Sequence, residues 1–256
     1  KKENAKKGEK DPSNYLPPLV SYRCTYLANW VAVKVQWKLS MDQSEYGRTK
    51  KLLEGCKRQH RTRDSRAPVT LTMLSKIWEV LPLVCFSRYE ITLFKAAFSV
   101  AFFGLFRVGE LAVTQLGEDH PIQYADVEFI EASSECKIIV RFTKTSQYGQ
   151  PAIVKLRCEH KSQVCPVCTL REYVSKIPLV QGMLFCHANG KGLTRYQFAS
   201  VISKCLSRTQ FCSENIRTHS FRIGGATNLA SLGVTEETKM QLGRWRSNVF
   251  KNYVRL

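Results

Sequence analysis

The segment Ser87 to Phe106, SRYEITLFKAAFSVAFFGLF, constrains the rest of the chain most strongly. Its second part, Ala96 to Phe106, runs 11 residues without a charge. A helix that is apolar nearly all round has no face to give to water, so other elements must enclose it. The run is too short for a bilayer, which takes roughly 18 apolar residues or more to cross, and it reads as the central helix of a folded domain. Hydrophobic residues make up 44% of the 256 positions, enough for one large core or two modest ones. Directly after the run comes Arg107, in FRVGELAVTQL. A guanidinium leaving such a core is costly unless it is paired or meets an anion. Glu110, three residues on, is the local partner, and an external anion is the other candidate.

The flanking elements follow from caps and periodicity. Thr70 is a plausible N-cap for the amphipathic helix LTMLSKIWEVLP, which Pro82 stops. KIIVRFTK and PAIVKLRC alternate with period two around TSQYGQ, the pattern of a β-hairpin, with Lys144 at the end of its first strand. TLREYVSKI reads as a helix and HANGKGL as a turn, and Thr194 caps RYQFASVISKCLSR. GVTEETKMQL begins a short helix with Glu236 and Glu237 in its first turn, where the helix dipole favours them. Ser247 is the expected cap of a last helix that presents Tyr253. The expected fold class is therefore mainly α with a small β-hairpin or sheet (α+β).

The charge balance points to the partner. Lysine and arginine number 39 against 21 acidic residues, a net charge of +18 with a sequence pI near 9.6. A surplus of that size calls for a polyanion, with nucleic acid ahead of an anionic membrane surface. Residues 1–14, KKENAKKGEKDPSN, are expected to be a disordered basic tail, and no signal peptide is visible there. Residues 15–66 show helical spacing and read as a small helical DNA-binding domain, with residues 67–256 as a second domain. The first 70 residues hold 16 basic and 7 acidic side chains, half of the net charge. Lys50, Lys51, Lys57, Arg58, Arg61 and Arg63 are the candidates for tracking phosphates. The chain reads as intracellular and free of membrane.

Ten cysteines are scattered along the chain, and reduced thiols are the expectation. Cys158, His160, Cys165 and Cys168 form one suggestive cluster. It contains a single Cys-x-x-Cys knuckle, and Cys158 and His160 are too close in sequence for a usual zinc finger, so neither metal nor cofactor is expected.

The last forty residues carry the chemistry. His219 and Arg222 are three apart at the start of SFRIGGATNLASL, so one phosphate could touch both. Gly243-Arg244-Trp245 follows, and then an isolated Tyr253. A tyrosine hydroxyl, with a pKa of about 10, needs a base or nearby cations to act as a nucleophile. A phosphodiester under attack gathers charge on its non-bridging oxygens, which guanidinium forks match well. The set suits phosphoryl transfer. Each piece also has a plain reading, His-x-x-Arg as a solvated helix face and Tyr253 as a core residue beside Val249 and Phe250.

In order and spacing these motifs resemble the tyrosine recombinases, the lambda-integrase-like or phage-integrase family. Trp245 follows Arg222 by 23 residues, and Tyr253 follows Trp245 by 8. The second interval is one residue short of the bacterial and phage pattern, so Arg244 is the match when counted back from the tyrosine. The wording GRWRS and KTSQYGQ looks more like recombinases of eukaryotic mobile elements of the DIRS, Ngaro and Crypton kinds. GLFRVGEL resembles the family's Gly-Leu-Arg-x-x-Glu-Leu, with Phe106 inserted. GCKRQHRTRDSRAPVT resembles the end of the family's helical core-binding domain, which is shorter here than usual.

The resemblance implies a recombinase catalytic domain that cuts and rejoins double-stranded DNA without a cofactor, in the nucleus if the host is eukaryotic and otherwise on the chromosome in the cytoplasm. Arg107, Arg222 and Trp245 would hold the phosphate, with Arg244 as a further DNA contact. His219 would assist Tyr253, and Lys144 would protonate the leaving 5′ oxygen. Several copies, a dimer or tetramer, would assemble on DNA. The alternatives are a catalytically idle domesticated DNA-binding descendant and a type IB topoisomerase-like nicking-closing enzyme. A structural zinc protein or a membrane-surface protein would leave the ordered motifs unexplained.

Overall fold

The central helix is enclosed, as its composition requires. A computed structural model of the chain describes residues 65–114, 120–142, 151–159, 162–178 and 181–255, together with Lys51. The chain divides between Asp64 and Ser65, and the unit from Ser65 onward is the one described below. Helix α1 spans Leu71–Val80, opened by Thr70, whose side chain accepts a hydrogen bond from the Met73 N–H at 3.1 Å. Its buried residues, Met73, Leu74, Ile77 and Trp78, form one stripe, and a 3-10 turn at Leu81–Leu83 containing Pro82 follows it. Helix α2 spans Arg88–Phe103, capped by Ser87, and 10 of its 16 residues are buried.

After α2 the chain reverses through Gly104 and Leu105, and Leu105 takes a left-handed backbone (φ 50°). A leucine there costs about 1–2 kcal/mol. This turn makes room for the inserted Phe106, whose ring lies where a side chain on Gly104 would stand. Helix α3, Val108–Leu111, then carries Glu110 back beneath the turn.

The sheet is antiparallel in the order β1-β2-β3, with β1 at Val127–Ile130, β2 at Glu135–Val140 and β3 at Ala152–Arg157. Val127 pairs with Ile138, and Val140 with Ala152. The expected hairpin is thus β2-β3, and Cys136, Ile138, Val140, Val154 and Leu156 turn inward from it. Strand β1 was not legible, because VEFI is too short for alternation to stand out.

Among the described residues four more α-helices follow: α4 at Pro166–Val174, α5 at Arg195–Leu206, α6 at Ser220–Ser231 and α7 at Glu236–Gly243. Thr194 and Thr235 cap α5 and α7. The last segment, Asn248–Tyr253, is a 3-10 turn rather than an α-helix. Ser247 precedes it but accepts no capping hydrogen bond, which corrects the expected cap. No helix of the described residues is long and apolar enough to cross a membrane.

Phe98 is the centre of the core. Its ring lies 4.9 Å from that of Phe198 on α5 and 5.2 Å from that of Phe221 on α6. Helix α6 reaches this depth through Gly224 and Gly225. A side-chain carbon on Gly224 would fall on the backbone of Val69, and one on Gly225 on the carbonyl of Phe102. Those neighbours are backbone and cannot turn away. Gly225→Ala is expected to cost about 1–3 kcal/mol of stability through overpacking, measured as a lower urea midpoint with an unchanged slope.

Candidate active site

Helix α6 begins with His219 as its N-cap, so Arg222 lies one turn inside the helix, directed into the protein and fully buried. Its terminal nitrogens donate to the carbonyls of Leu105 and Gly243. The turn after α2 and the end of α7 are thereby joined through one side chain. The plane of Arg222 also faces two rings, with its guanidinium carbon 4.5 Å from the Trp245 centroid and 5.5 Å from that of Tyr253.

Glu110 holds the other two arginines. Its carboxylate accepts from the Arg107 backbone N–H at 2.8 Å and from the Arg107 guanidinium at 3.3 Å. It also accepts from the Arg244 guanidinium at 2.8 Å. The local pairing read from the sequence is present. The same carboxylate serves a second arginine from the far end of the chain, which sequence spacing could not show.

Arg244 itself closes α7 in a left-handed conformation (φ 56°). Its guanidinium donates to the carbonyls of Gly104 (3.1 Å) and Leu105 (3.2 Å) and stacks 4.7 Å from the centre of the Phe106 ring. Only 7% of its side chain is exposed. This revises its expected place as an outward DNA contact, because both of its terminal nitrogens donate inward, to Glu110 and to backbone carbonyls. Trp245 faces the other way, onto Arg222 and Tyr253. Gly243 permits this, since any side chain there would fall on the indole.

Tyr253 ends the 3-10 segment, its ring centre 5.1 Å from His219 and 5.0 Å from Trp245. Thr227 on α6 fixes the backbone here. Its hydroxyl accepts from the Arg255 N–H at 3.0 Å, while its single proton faces the Ile223 carbonyl at 2.9 Å and, more distantly, the Tyr253 carbonyl at 3.4 Å. Phe250 is buried 6.2 Å from the Trp245 ring and anchors the same segment. Thr227 was missed in the sequence, where it is one polar residue among several on α6.

Five residues singled out in the sequence therefore meet in one place: Arg107, His219, Arg222, Trp245 and Tyr253. Arg244 joins them from the inner side. Lys144 lies outside the described residues, as do Lys50, Lys57, Arg58, Arg61 and Arg63 and the tail expected at residues 1–14. Lys51 is helical and exposed.

The electrostatics are unbalanced. Three guanidiniums gather near one carboxylate, which pairs with Arg107 and Arg244, leaving two positive charges uncompensated among these four side chains. Burial, and then the neighbouring charges of Arg107 and Arg244, push the Arg222 guanidinium down to about 9. Burial also lowers Arg244, with Glu110 acting in the opposite direction. Among the described residues, Arg222 Nε, Arg244 Nε and Trp245 Nε1 are buried N–H donors without an acceptor. Buried donors left without an acceptor are costly.

The mainly helical fold with its small antiparallel sheet matches that of solved site-specific recombinases and integrases. No protein-family model matches the chain. The structure of XerA recombinase is similar at a TM-score of 0.55 and 16% identity, over 96% of this chain and 81% of that one. A lambda integrase dimer bound to a COC′ core site is similar at a TM-score of 0.54 and 13% identity, over 94% and 83% of the two chains. XerH recombinase bound to its difH substrate gives 0.54 and 17%, over 75% of this chain and 51% of XerH, so the match spans about half of XerH. An uncharacterised secreted protein of Arthroderma benhamiae is 38% identical over 53 residues, which is 21% of this chain and 26% of that protein.

Glu110→Ala removes the one acid from the cluster and strands buried guanidiniums. A loss of about 3–5 kcal/mol is expected, read by urea denaturation against Glu79→Ala, an exposed pair partner whose loss should cost under about 1 kcal/mol.

Proposed function

We propose that this protein cuts and rejoins double-stranded DNA through a covalent 3′-phosphotyrosine intermediate. The observation that carries the reading is the placement of Tyr253 against His219, Trp245 and Arg222, beside an arginine cluster with too few acceptors. The fold shared with XerH and lambda integrase, both solved on DNA sites, supports it.

In the proposed reaction the Tyr253 hydroxyl attacks the phosphorus and forms a P–O bond as the bond to the 5′ oxygen breaks. His219 assists removal of the tyrosine proton, and Lys144 delivers a proton to the departing 5′ oxygen. Arg107 and Arg222 stabilise the charge that develops on the non-bridging oxygens, and Trp245 holds Arg222 and Tyr253 in register. A 5′ hydroxyl from the same or another strand then attacks the phosphotyrosine in reverse. The phosphodiester energy is kept in the covalent link, so no nucleotide is consumed. Exchange between two sites requires several protomers on DNA. The wording KTSQYGQ and GRWRS favours a mobile element as the source of those sites, with the nucleus as the compartment in a eukaryotic host.

One observation favours a second reading, a DNA-binding descendant that no longer cleaves. Arg222 is fully buried, and both of its terminal nitrogens donate to backbone carbonyls. Of the three arginines, Arg107 has the most exposed side chain, at 22%.

A nicked suicide duplex bearing candidate recombination sites, incubated with the protein in the presence of a chelator, separates the two. The strand-transfer reading expects a covalent protein–DNA adduct that Tyr253→Phe abolishes and His219→Ala slows by about 10²–10⁴-fold. DNA binding that weakens steeply with salt, with no adduct on any site, selects the idle reading. In the adduct assay Lys144→Ala should be rescued by a 5′-bridging phosphorothiolate, whose leaving sulfur needs no proton.

A further inference from the structure

Three cysteines that the DNA chemistry does not use come together where the sheet meets α4. Cys158 follows the last residue of β3, Cys165 caps the start of α4, and Cys168 lies in the first turn of that helix. The Cys158 sulfur is 3.5 Å from that of Cys165 and 3.4 Å from that of Cys168, and all three lie within 4.8 Å of one another. A disulfide sets its sulfurs about 2.05 Å apart, so none of these is bonded to another. Sulfurs held at about 2.3 Å by one tetrahedral metal ion stand about 3.8 Å apart, close to the triangle observed.

Two further features favour a metal. Backbone N–H groups of Glu159 (3.3 Å) and Cys168 (3.5 Å) both donate to the Cys165 sulfur, an arrangement that supports negative charge on that atom. A single disulfide would use two of the sulfurs and leave the third, whereas Cys158 is equally close to both partners. Cys165 is buried, Cys158 half-buried and Cys168 exposed, so the group has a side open to an entering ion and to a fourth ligand.

We propose that Cys158, Cys165 and Cys168 bind a structural zinc ion, with the fourth position filled by a ligand other than these three. The sequence argued against metal because it shows one knuckle only, Cys165-Pro166-Val167-Cys168. The fold supplies the third sulfur from the end of a strand in place of a second knuckle. Zinc binding displaces the thiol protons and changes no oxidation state. The ion would staple the open end of the β2-β3 hairpin to α4, at the end opposite the connection that carries Lys144. His160, two residues beyond Cys158, lies outside the described residues. The proposal does not depend on the strand-transfer reading.

The test uses the whole chain, purified without chelator from zinc-supplemented cells and measured by elemental mass spectrometry. About one zinc per chain is expected, lost in Cys165→Ser and Cys168→Ser and kept in Cys212→Ser, an exposed cysteine outside the group. Because a serine variant can fail to fold, the unaltered chain is also stripped of metal and titrated with cobalt(II). Thiolate-to-cobalt charge transfer and strong tetrahedral d–d bands should saturate at one equivalent and vanish on adding zinc. A folded chain with no zinc and no cobalt bands overturns the proposal, and so does a disulfide among these cysteines in metal-free protein that, once reduced, still binds no cobalt.

Discussion

The Glu110 carboxylate is the interaction on which the site depends. It lies on the short helix that follows the central helix, and it reaches Arg107 beside it and Arg244 from near the end of the chain. Without that acid, two buried guanidiniums and the half-buried Arg107 would meet with no counterweight to their mutual repulsion. With it, two of the three are fixed in orientation and the third, Arg222, is fixed by the carbonyls of Leu105 and Gly243. The site is consequently rigid and short of negative charge at once, which is how a protein prepares to stabilise an anion without reorganising.

The backbone around the cluster shows how closely it is packed. Leu105 and Arg244 both adopt left-handed conformations that glycine would accept more readily. At each, the side chain or carbonyl is needed: Leu105 packs in the cluster with Trp245 and Phe250 and offers its carbonyl to two arginines, while Arg244 reaches Glu110. Strain of this kind persists where neighbouring contacts over-determine the conformation. Glycine is kept for the places where a side chain would strike backbone or the indole, at Gly224, Gly225 and Gly243.

Much of this was legible in the sequence because it rests on local rules. The apolar run from Ala96 to Phe106 required an enclosed helix, the caps at Thr70 and Thr194 fixed helix starts, and period two marked the hairpin. His219 and Arg222 were placed together by helical spacing alone. What was not legible depends on contacts between distant segments. Nothing near Arg244 shows that it turns inward to an acid 134 residues earlier, so its expected role as a DNA contact had no local check. Thr227 is equally silent until the chain end is seen to lie against it. The cysteine group was named in the sequence, but a single knuckle did not show that the sulfurs of Cys158, Cys165 and Cys168 lie within 4.8 Å of one another. Ser247 was misread because a capping residue is informative only if an α-helix follows, and a six-residue 3-10 turn does not supply one.

The proposed nucleophile and its electrostatic surroundings differ in how firmly they are held. Arg222 sits in a helix packed against the central helix, with neighbours that cannot move without opening the core. Tyr253 is on a 3-10 turn in which Phe250 is the buried residue, held besides by ring contacts with Trp245 and His219, by Thr227 and by an exposed pair between Lys251 and Glu236. A segment with few buried contacts occupies the low end of the range of local stabilities in a fold. The arginine cluster can therefore stay preorganised while the tyrosine adjusts, and for strand transfer this division is useful. In the proposed strand transfer the charge-stabilising groups would wait in place for the phosphate, whereas the nucleophile would approach the phosphorus, remain attached to the strand and later release it. With Phe250 buried and the Arg255 N–H tied to Thr227, the Tyr253 ring rests against His219 and Trp245, the two side chains that would orient it in the proposed reaction.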